Sequence, residues 1–305
     1  MSRSQRQHLV LTAPTHAPCL NATLVDTVTR LLARDAVVDA RWLAPGEAWE
    51  LTFAAQGDGG AHLKQQIATA LIGFPVDINI LPYEGSKRRK KLLVADMDST
   101  IIEQECIDEI ADFAEVRAEV AAITERAMAG ELDFEAALKA RVALLKDLPA
   151  NIVEAVLVDR ITVMPGALDL VRTMKEHGAR TALVSGGFTV FTSQVAAMVG
   201  FDTHHGNELI MADGKLGGTV AEPILGRQAK LDTLQAEAAS VGISLGDTLA
   251  VGDGANDLAM LGAAGLGVAY RAKPIVAAAA RASITHADLR ALLYLQGYAR
   301  DEFAE

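Results

Sequence analysis

The chain has 305 residues, a length that favours two domains, and half of its residues are hydrophobic, which is enough to bury a core. Its formal net charge of -11 argues against nucleic acid as a partner, because proteins that bind phosphate backbones need a basic surface. The two cysteines, Cys19 and Cys106, form no CxxC pair, so neither a disulfide framework nor a thiolate zinc site is predicted.

The sequence shows no targeting or membrane segment. Apolar runs stay below the roughly 18 residues that a membrane span needs, and residues 1–16 lack the apolar stretch of a signal peptide. We therefore expect a cytoplasmic protein without a membrane partner, in which residues 1–7 form a disordered tail.

The first third of the chain alternates strand and helix patterns in the order β-α-β-β-α-β. Strands are predicted at 8–12, 35–43, 49–55 and 76–81, and helices at 21–33 and 60–72. This order predicts a ferredoxin-like α+β domain over residues 1–85. The segment resembles the ACT-type domains that bind amino acids and regulate metabolic enzymes, and the resemblance implies an amino-acid effector at this domain.

A break in composition separates this domain from the rest of the chain. The segment 82–85 reads Pro-Tyr-Glu-Gly and is followed by a basic run over 87–91, which together predict an exposed, solvated linker. Nucleic-acid binding is the weaker interpretation of the basic run, because the run is short and has no aromatic neighbours. A second domain is predicted over residues 86–305.

From residue 92 onward, short apolar runs alternate with helical patterns, which is typical of an α/β fold with a parallel sheet between helices. The clearest strands are predicted at 92–95, 180–184, 249–252 and 265–269. A long, mostly helical insertion over 107–161 follows the first of them. We expect this insertion to form a cap over the carboxyl edge of the sheet.

Polar residues follow three of these strands directly, where ligands gather in open parallel sheets. The residues are Asp96 and Asp98 after the first strand, Ser185 and two glycines after the second, and the run Gly252–Asp257 after the third. Taken singly, each has an ordinary interpretation as a helix cap or a turn. Together, four aspartates in one cleft would repel each other, and a hard divalent cation such as Mg²⁺ would relieve that repulsion.

Lys230, at the start of a predicted helix, can supply a positive charge for a bound phosphate, although alone it would more often be a surface lysine. In this order Asp96-Met97-Asp98-Ser99-Thr100, Ser185, Lys230 and Gly252-Asp253-Gly254-Ala255-Asn256-Asp257 resemble the DxDxT, Ser/Thr, Lys and GDxxxD motifs of the haloacid dehalogenase superfamily of phosphatases. The resemblance covers residues from 92 to the C-terminus and implies a Rossmann-like core with a mobile helical cap.

The resemblance also implies a role for each motif residue. Asp96 is the expected nucleophile, which forms an aspartyl phosphate, and Asp98 is the expected general acid and base. The metal is expected on Asp96, on the backbone carbonyl of Asp98 and on Asp253, with Asp257 in its outer shell. The residues expected to hold the phosphoryl oxygens are Ser185, Gly186 and Lys230.

Two residues of the cap region bear on the substrate. Glu105 can pair with an ammonium group, but its spacing suits a helix N-terminus equally well. Arg141 can bind a carboxylate, although an exposed helix arginine is the commoner case. The run of motifs DMDST, ExExIDE, FxxxLxxRV, LVSGGF and GDGAND is similar to the phosphoserine phosphatase family, which favours the substrate roles.

That second resemblance implies hydrolysis of O-phospho-L-serine to L-serine and phosphate, the last step of serine biosynthesis. Glu105 then matches the residue that binds the amino group of the substrate, and Arg141 matches the one that binds its carboxylate. Asn256 matches a substrate-site amide. Met128 and Phe134 match apolar cap positions, or they are ordinary core residues. Cys106 is expected to be buried and inert.

Two alternatives stay open at this point. A phosphotransferase would pass the aspartyl phosphate to another amino-acid alcohol, and an amino-acid sensor would keep only a vestigial phosphatase fold. The sequence does not determine the oligomeric state, and a homodimer is one option.

Overall fold

A computed structural model describes residues 5–33, 36–55, 59–128 and 131–304 of the chain. Within these ranges the chain forms an antiparallel four-stranded sheet, a parallel six-stranded sheet and a two-stranded hairpin. In the described part of the chain, every helix falls short of the length and hydropathy that a bilayer-spanning helix needs.

The N-terminal sheet has the predicted order of elements. They are β1 (Gln5–Thr12), α1 (Ala22–Thr29), β2 (Val37–Ala44), β3 (Ala48–Ala55), α2 (Gly59–Ala70) and β4 (Asp77–Pro82). The strands lie in the order β2-β3-β1-β4, which is the ferredoxin-like arrangement. Alternate residues of β1 and β3, such as Leu9, Leu11 and Leu51, point into one apolar core that the two helices cover.

The predicted disordered tail is wrong for residues 5–7. Gln5, Arg6 and Gln7 continue β1 and pair with residues of β3, because an extended chain beside an edge of β3 can satisfy its backbone hydrogen bonds there. Residues 1–4, and Asp35 at the start of the second predicted strand, lie outside the described residues.

The parallel sheet has the strand order β12-β11-β10-β5-β6-β7. Its strands are β5 (Leu92–Asp96), β6 (Arg180–Phe188), β7 (Thr203–Asn207), β10 (Thr248–Gly252), β11 (Leu266–Tyr270) and β12 (Ala282–Ile284). Leu92 and Val94 belong to one core cluster and Leu93 and Ala95 to another, so both faces of the sheet are covered. The predicted α/β core is therefore confirmed.

Helices fill the connections of this sheet. The insertion after β5 contains α3 (Cys106–Phe113), α4 (Arg117–Met128), α5 (Phe134–Ala143) and α6 (Asn151–Asp159). The remaining helices are α7 (Ala167–Glu176), α8 (Thr189–Val199), α9 (Arg227–Ser240), α10 (Leu258–Ala263), α11 (Pro274–Ala279) and α12 (Ala291–Leu295). Asp133 caps α5 by accepting a hydrogen bond of 2.8 Å from the Ala136 amide, which fixes where this helix begins.

A hairpin that the sequence analysis did not predict joins the helical insertion. Its strands are β8 (Leu209–Ala212) and β9 (Lys215–Val220), and the turn residues Asp213 and Gly214 both have positive φ. An Asp-Gly pair between two strands is a strong hairpin signal, so the sequence did contain the information. The hairpin binds the insertion through the Asp147 amide, 2.9 Å from the Leu216 carbonyl, and the Ala150 amide, 2.8 Å from the Gly214 carbonyl.

The basic run between the two sheets is not a solvated linker, so that prediction is wrong for Arg88 and Lys90. The Arg88 guanidinium pairs with the buried Glu50 of β3 and donates to the Leu295 carbonyl at 2.9 Å. The buried Lys90 ammonium pairs with Glu84 and donates to the Gly246 carbonyl at 3.0 Å. Carboxylates and carbonyls buried at this junction need cationic partners, and the run supplies them.

The two sheets also meet edge to edge. The Asn79 amide on β4 donates to the Ser283 carbonyl at 3.0 Å and accepts from the Ser283 amide at 2.9 Å. Next to it, the Asp77 carboxylate accepts backbone N–H groups from residues 285–287. Side chains thus complete hydrogen bonds that a further backbone strand would otherwise make.

Candidate active site

Three predicted aspartates meet at the carboxyl edge of the parallel sheet. Asp96 ends β5, while Asp253 and Asp257 follow β10, the strand that pairs with β5. One carboxylate oxygen of each residue lies within 4.8 Å of the others. The parallel arrangement of β5 and β10 is what brings residues so distant in sequence together.

Lys230 lies inside this cluster rather than on the surface. Its ammonium on α9 is 2.7 Å from Asp96 Oδ2 and 2.7 Å from Asp257 Oδ1, and its side chain is 2% exposed. Burial by itself would lower the pKa of Lys230, but the charges of Asp96 and Asp257 raise it above its ordinary value. The ammonium therefore stays protonated and holds both carboxylates in place.

The carboxylates outnumber the cation. Burial and then the charge of Asp257 raise the pKa of Asp96 well above its ordinary value, and the same two causes raise the pKa of Asp253 to about 6. Among the described residues, Lys230 is the one ammonium paired with these three clustered acids. An all-oxygen donor set with excess negative charge fits a hard divalent cation.

Both oxygens of Asp257 are already engaged. Oδ1 pairs with Lys230, and Oδ2 accepts from the Gly254 amide at 3.0 Å. A Cβ on Gly252 would lie 2.4 Å from Asp257 Cγ, so this position has room only for glycine. Asp253 is less encumbered, since it accepts from the Thr100 hydroxyl at 3.3 Å.

Asp98 is held by hydrogen bonds to two other elements. Its Oδ1 accepts from the Cys106 amide at 2.9 Å, and its Oδ2 accepts from the Ser185 hydroxyl at 2.8 Å. The Ser185 oxygen also accepts from the Gly187 amide at 2.8 Å, so the glycines at the C-terminal end of β6 are fixed to Asp98. The carboxylate of Asp98 is not part of the three-residue cluster.

Cys106 is buried, as expected. Burial and then the charge of Asp98 raise the pKa of its thiol well above the ordinary value. The thiol stays protonated, which agrees with the expectation that it is inert.

Glu105 lies at the start of α3, but its carboxylate does not cap the helix. It accepts instead from the Ser99 hydroxyl at 2.7 Å, within the turn in which Ser99 has φ +54°. The residue keeps solvent-accessible surface at the cleft rim. Partial burial and then the charge of Asp98 raise the pKa of Glu105 to about 7.

Arg141 is half-buried on α5, so the interpretation as an exposed helix arginine is wrong. Its Nε donates to the Ala137 carbonyl at 3.3 Å. Burial lowers the pKa of Arg141, while the charges of Asp108, Glu105 and Asp98 act in the opposite direction. The guanidinium thus lies on the side of the insertion that faces the acidic cleft.

Phe134 brings the insertion against the core. A Cβ built on Gly186 would lie 2.8 Å from the Phe134 ring, and one built on Gly226 would lie 3.4 Å from it. The ring therefore covers the glycines at the C-terminal end of β6. The Asn256 side chain lies over Gly254 in the same cleft, whereas the side chain of Met128 is outside the described residues.

Two residues of this region were absent from the predicted site. Thr100 is fully buried and contacts Asp253, and its place in the DxDxT motif was the available signal. Asn207, at the end of β7, donates to the Gly186 carbonyl at 2.8 Å. No local pattern marks Asn207, because its partners are distant in sequence.

Comparisons with known proteins agree with this geometry. The phosphoserine phosphatase of Streptomyces coelicolor is 43% identical over 250 residues, which are 82% of this chain and 61% of that protein. This chain therefore spans less than two thirds of that relative. An unliganded probable phosphoserine phosphatase from Vibrio cholerae superposes with a TM-score of 0.77 and 34% identity, covering 97% of this chain and 88% of that one.

A solved phosphoserine phosphatase complex with bound substrate has a TM-score of 0.63 and 45% identity, covering 68% of this chain and 98% of that one. Residues 93–262, more than half of the chain, match the family described as haloacid dehalogenase-like hydrolase. This match includes the strands that carry Asp96, Ser185 and Asp253. The chain therefore belongs to the haloacid dehalogenase-like hydrolases.

Proposed function

We propose that the protein is a magnesium-dependent phosphoserine phosphatase. The proposal rests on one cleft that offers a pair of opposite charges on its floor and a second pair at its rim. Its floor combines Asp96 and Lys230 at 2.7 Å, which suits a phosphoryl group and its metal. Its rim carries Glu105 and Arg141, which suit an ammonium and a carboxylate. An amino acid with a phosphorylated side chain presents these three groups together.

In the first step, an Asp96 oxygen attacks phosphorus, and the bond from phosphorus to the serine oxygen breaks. Asp98 donates a proton to the departing serine oxygen. The Met97 amide, 2.8 Å from Asp96 Oδ1, and Lys230 fix the nucleophile for this attack. The Cys106 amide and Ser185 fix Asp98 in the same way.

In the second step, a water attacks the phosphorus of the aspartyl phosphate, and the bond to Asp96 breaks. Asp98, now deprotonated, accepts the proton of that water. Ser185, the Gly186 amide and Lys230 hold the phosphoryl oxygens through both displacements. Serine and phosphate leave, and Asp96 returns to its starting state.

A divalent cation is proposed on Asp96, on the backbone carbonyl of Asp98 and on Asp253. Asp257 is proposed in its outer shell, where it holds the Lys230 ammonium and the Gly254 amide. When bound, Mg²⁺ would offset the excess negative charge of the cluster and of the incoming phosphate. The three clustered carboxylates support this assignment.

Substrate recognition is proposed at the rim of the cleft. Glu105 binds the amino group, Arg141 the carboxylate, and Asn256 contributes an amide. Phe134 and Met128 supply apolar surface over the ligand. The cytoplasmic location, the amino-acid effector at the N-terminal sheet and the homodimer stay predictions.

The reaction is tested by measuring phosphate release from phosphoserine with and without Mg²⁺. We expect Asp96→Asn to lose roughly 10⁴-fold or more in kcat, since the nucleophile is gone. Asp213→Asn, at an exposed hairpin turn that tolerates asparagine, is the matched control and should keep wild-type activity. Rapid metal-independent turnover by Asp96→Asn would contradict the assignment of the nucleophile.

The same assay separates the alternatives. A phosphotransferase would release little phosphate until an acceptor alcohol is added, and would then yield a new phosphoester. A sensor would bind amino acids and release no phosphate from phosphoserine.

The substrate assignment is tested on Arg141. Arg141→Ala should lose roughly 50-fold in kcat/KM for phosphoserine, because a charge-assisted bond to the substrate carboxylate is removed. Hydrolysis of p-nitrophenyl phosphate, which has no carboxylate, should change little. Lys139→Ala removes an exposed cation from the same helix and serves as the control. Equal losses for both substrates would remove Arg141 from substrate recognition.

A further inference from the structure

We propose that Asn207 is a positioning residue for the phosphate site. Its side-chain hydrogen bonds go to the backbone of Gly186 and Leu225, and its role is to fix the backbone that holds the phosphoryl group. The inference rests on the proposed function, because it assumes that a phosphoryl group binds next to Ser185 and Lys230.

The side-chain amide of Asn207 joins two separate segments of backbone. Its Nδ2 donates to the Gly186 carbonyl at 2.8 Å and to the Leu225 carbonyl at 3.2 Å. Its Oδ1 accepts from the Leu225 amide at 2.7 Å. Asn207 is 2% exposed, so these bonds are shielded from competing water.

The two segments that Asn207 joins carry the phosphate ligands. Gly186 follows Ser185, whose hydroxyl holds Asp98. Leu225 lies just before α9, the helix on which Lys230 reaches Asp96. A shift of one segment against the other would change the distance between the Ser185 hydroxyl and the Lys230 ammonium.

The same two segments form the surface on which the insertion rests. The Phe134 ring packs on Gly186 and on Gly226, the residues next to the bonds that Asn207 makes. Loss of the Asn207 bonds would therefore disturb the floor of the site and the contact that closes it.

Asparagine suits this position better than its closest substitutes. It offers two donor hydrogens for two carbonyls and one acceptor for one amide. Aspartate would keep the bond to the Leu225 amide but would place a carboxylate against both carbonyls. Alanine would leave all three buried backbone groups without a side-chain partner.

A purely structural role is the competing explanation. Residues 208–224 leave the parallel sheet and include the hairpin. Asn207 joins the two ends of this segment through its bonds to Leu225. The Ala221 amide, 2.9 Å from the Glu208 carbonyl, joins them as well. An Asn207 variant would then lose stability without a specific effect on phosphate.

Asn79 provides a matched control for this explanation. It is 1% exposed and makes the same kind of two-way bond, with its amide joined to both backbone groups of Ser283. Asn79 lies where the two sheets meet, and its side-chain hydrogen bonds go to the backbone of Ser283 rather than to the cleft. A variant at Asn79 thus removes a comparable buried amide without touching the phosphate site.

The experiment compares full-length Asn207→Ala, Asn207→Asp and Asn79→Ala. For each we would measure Tm, kcat/KM for phosphoserine and for p-nitrophenyl phosphate, and the inhibition constant of inorganic phosphate. We expect both alanine variants to lower Tm. Asn207→Ala should lose roughly 30- to 100-fold in kcat/KM on both substrates equally, since a displaced phosphate site affects every phosphoester.

The inhibition constant of phosphate should rise roughly tenfold in Asn207→Ala, whereas Asn79→Ala should stay within about threefold of wild type in every kinetic parameter. Asn207→Asp keeps one of the bonds and should show the same rise in the inhibition constant of phosphate. This variant tests the proposal if Asn207→Ala does not fold. Kinetics of the Asn207 variants that match those of Asn79→Ala would overturn the proposal.

The outcomes also separate this inference from the proposed function. Wild-type protein that hydrolyses p-nitrophenyl phosphate but not phosphoserine would refute the substrate assignment alone. The comparison of Asn207 with Asn79 would still be decided on the aryl phosphate.

Discussion

Two of the places where the described residues bury charged side chains differ in the ratio of carboxylates to cations. At the junction between the sheets, Glu50 meets Arg88 and Arg41, and Lys90 meets Glu84. In the cleft, Asp96, Asp253 and Asp257 share the ammonium of Lys230. The junction therefore pairs its charges internally, whereas the cleft carries excess negative charge.

This difference distinguishes buried charges that stabilise the fold from buried charges that bind a ligand. Burial is common to both places, so burial alone does not mark the active site. Carboxylates that each have a cationic partner are satisfied without a ligand. A cluster with more carboxylates than cations keeps a free-energy cost that a bound cation can remove. The raised pKa of Asp253, to about 6, reports that cost.

Of the changes that compare these two places, the largest effect is expected from removing the carboxylate of Asp253 in the cleft. Asp253→Asn should lose roughly 10³-fold in kcat/KM, because the proposed cation loses a ligand. Without metal, the same variant should be more stable than wild type, since repulsion among the carboxylates is reduced. Phosphate release and thermal unfolding in EDTA would check the two halves of this prediction.

The response to Mg²⁺ supplies a further check on Asp253. Added Mg²⁺ should raise the Tm of wild-type protein and of Asp213→Asn, but raise that of Asp253→Asn less. A variant that responded to Mg²⁺ as wild type does would show that the cation binds elsewhere.

An intermediate effect is expected at the junction. Arg88→Ala should lower the free energy of unfolding by about 3 kcal/mol, because it leaves Glu50 buried with less compensation. Arg89→Ala is the neighbouring control, since its side chain is 39% exposed and its pair with Glu302 is a surface pair. Denaturant unfolding would measure both variants. A junction variant that lost catalysis at full stability would show that the charges of the junction are not purely structural.

The smallest effect concerns His8, which contacts Thr52 at 3.0 Å within the N-terminal sheet. Burial and then the charge of Arg88 lower the pKa of His8 to about 4, with Glu50, Arg41 and Glu84 also nearby. Between pH 6.5 and pH 4 the unfolded state binds a proton at this residue that the folded state does not.

Stability from His8 is therefore present above pH 6.5 and is lost as the pH falls toward 4. Lowering the pH from about 7 to about 5 should remove about 2 kcal/mol through this residue. Denaturant unfolding of wild type and His8→Gln at both pH values would isolate that share. An identical pH dependence in the variant would show that His8 does not contribute.

Local patterns predicted much of the core. Strands such as 92–95 are short apolar runs, and the polar residues that follow them must meet because parallel strands share one carboxyl edge. That argument predicts that Asp96 and Asp253 meet, whereas Lys230, on a helix, is predicted from its place in the order of motifs. The Asp-Gly hairpin signal was equally local and was overlooked.

Other features depend on partners far along the chain and leave no local signal. The basic run was interpreted as solvated because Glu50 and the Leu295 carbonyl, its partners, lie in other elements. Asn207 is a single asparagine at a strand end, and its bond to Leu225 depends on the intervening hairpin folding back. Such residues become visible only when tertiary structure supplies their neighbours.

The hairpin of β8 and β9 constrains how the cleft can admit its substrate. Backbone bonds from Asp147 and Ala150 attach it to the helical insertion, and Gly218 lies against the Lys146 side chain. Helices that swung away alone would have to break these bonds in the open state. An opening that kept these bonds would carry the hairpin together with the insertion. The chain would then have to bend where these segments join the core, near the bridge of Ile102 with Val163 and the bond from the Ala221 amide to the Glu208 carbonyl.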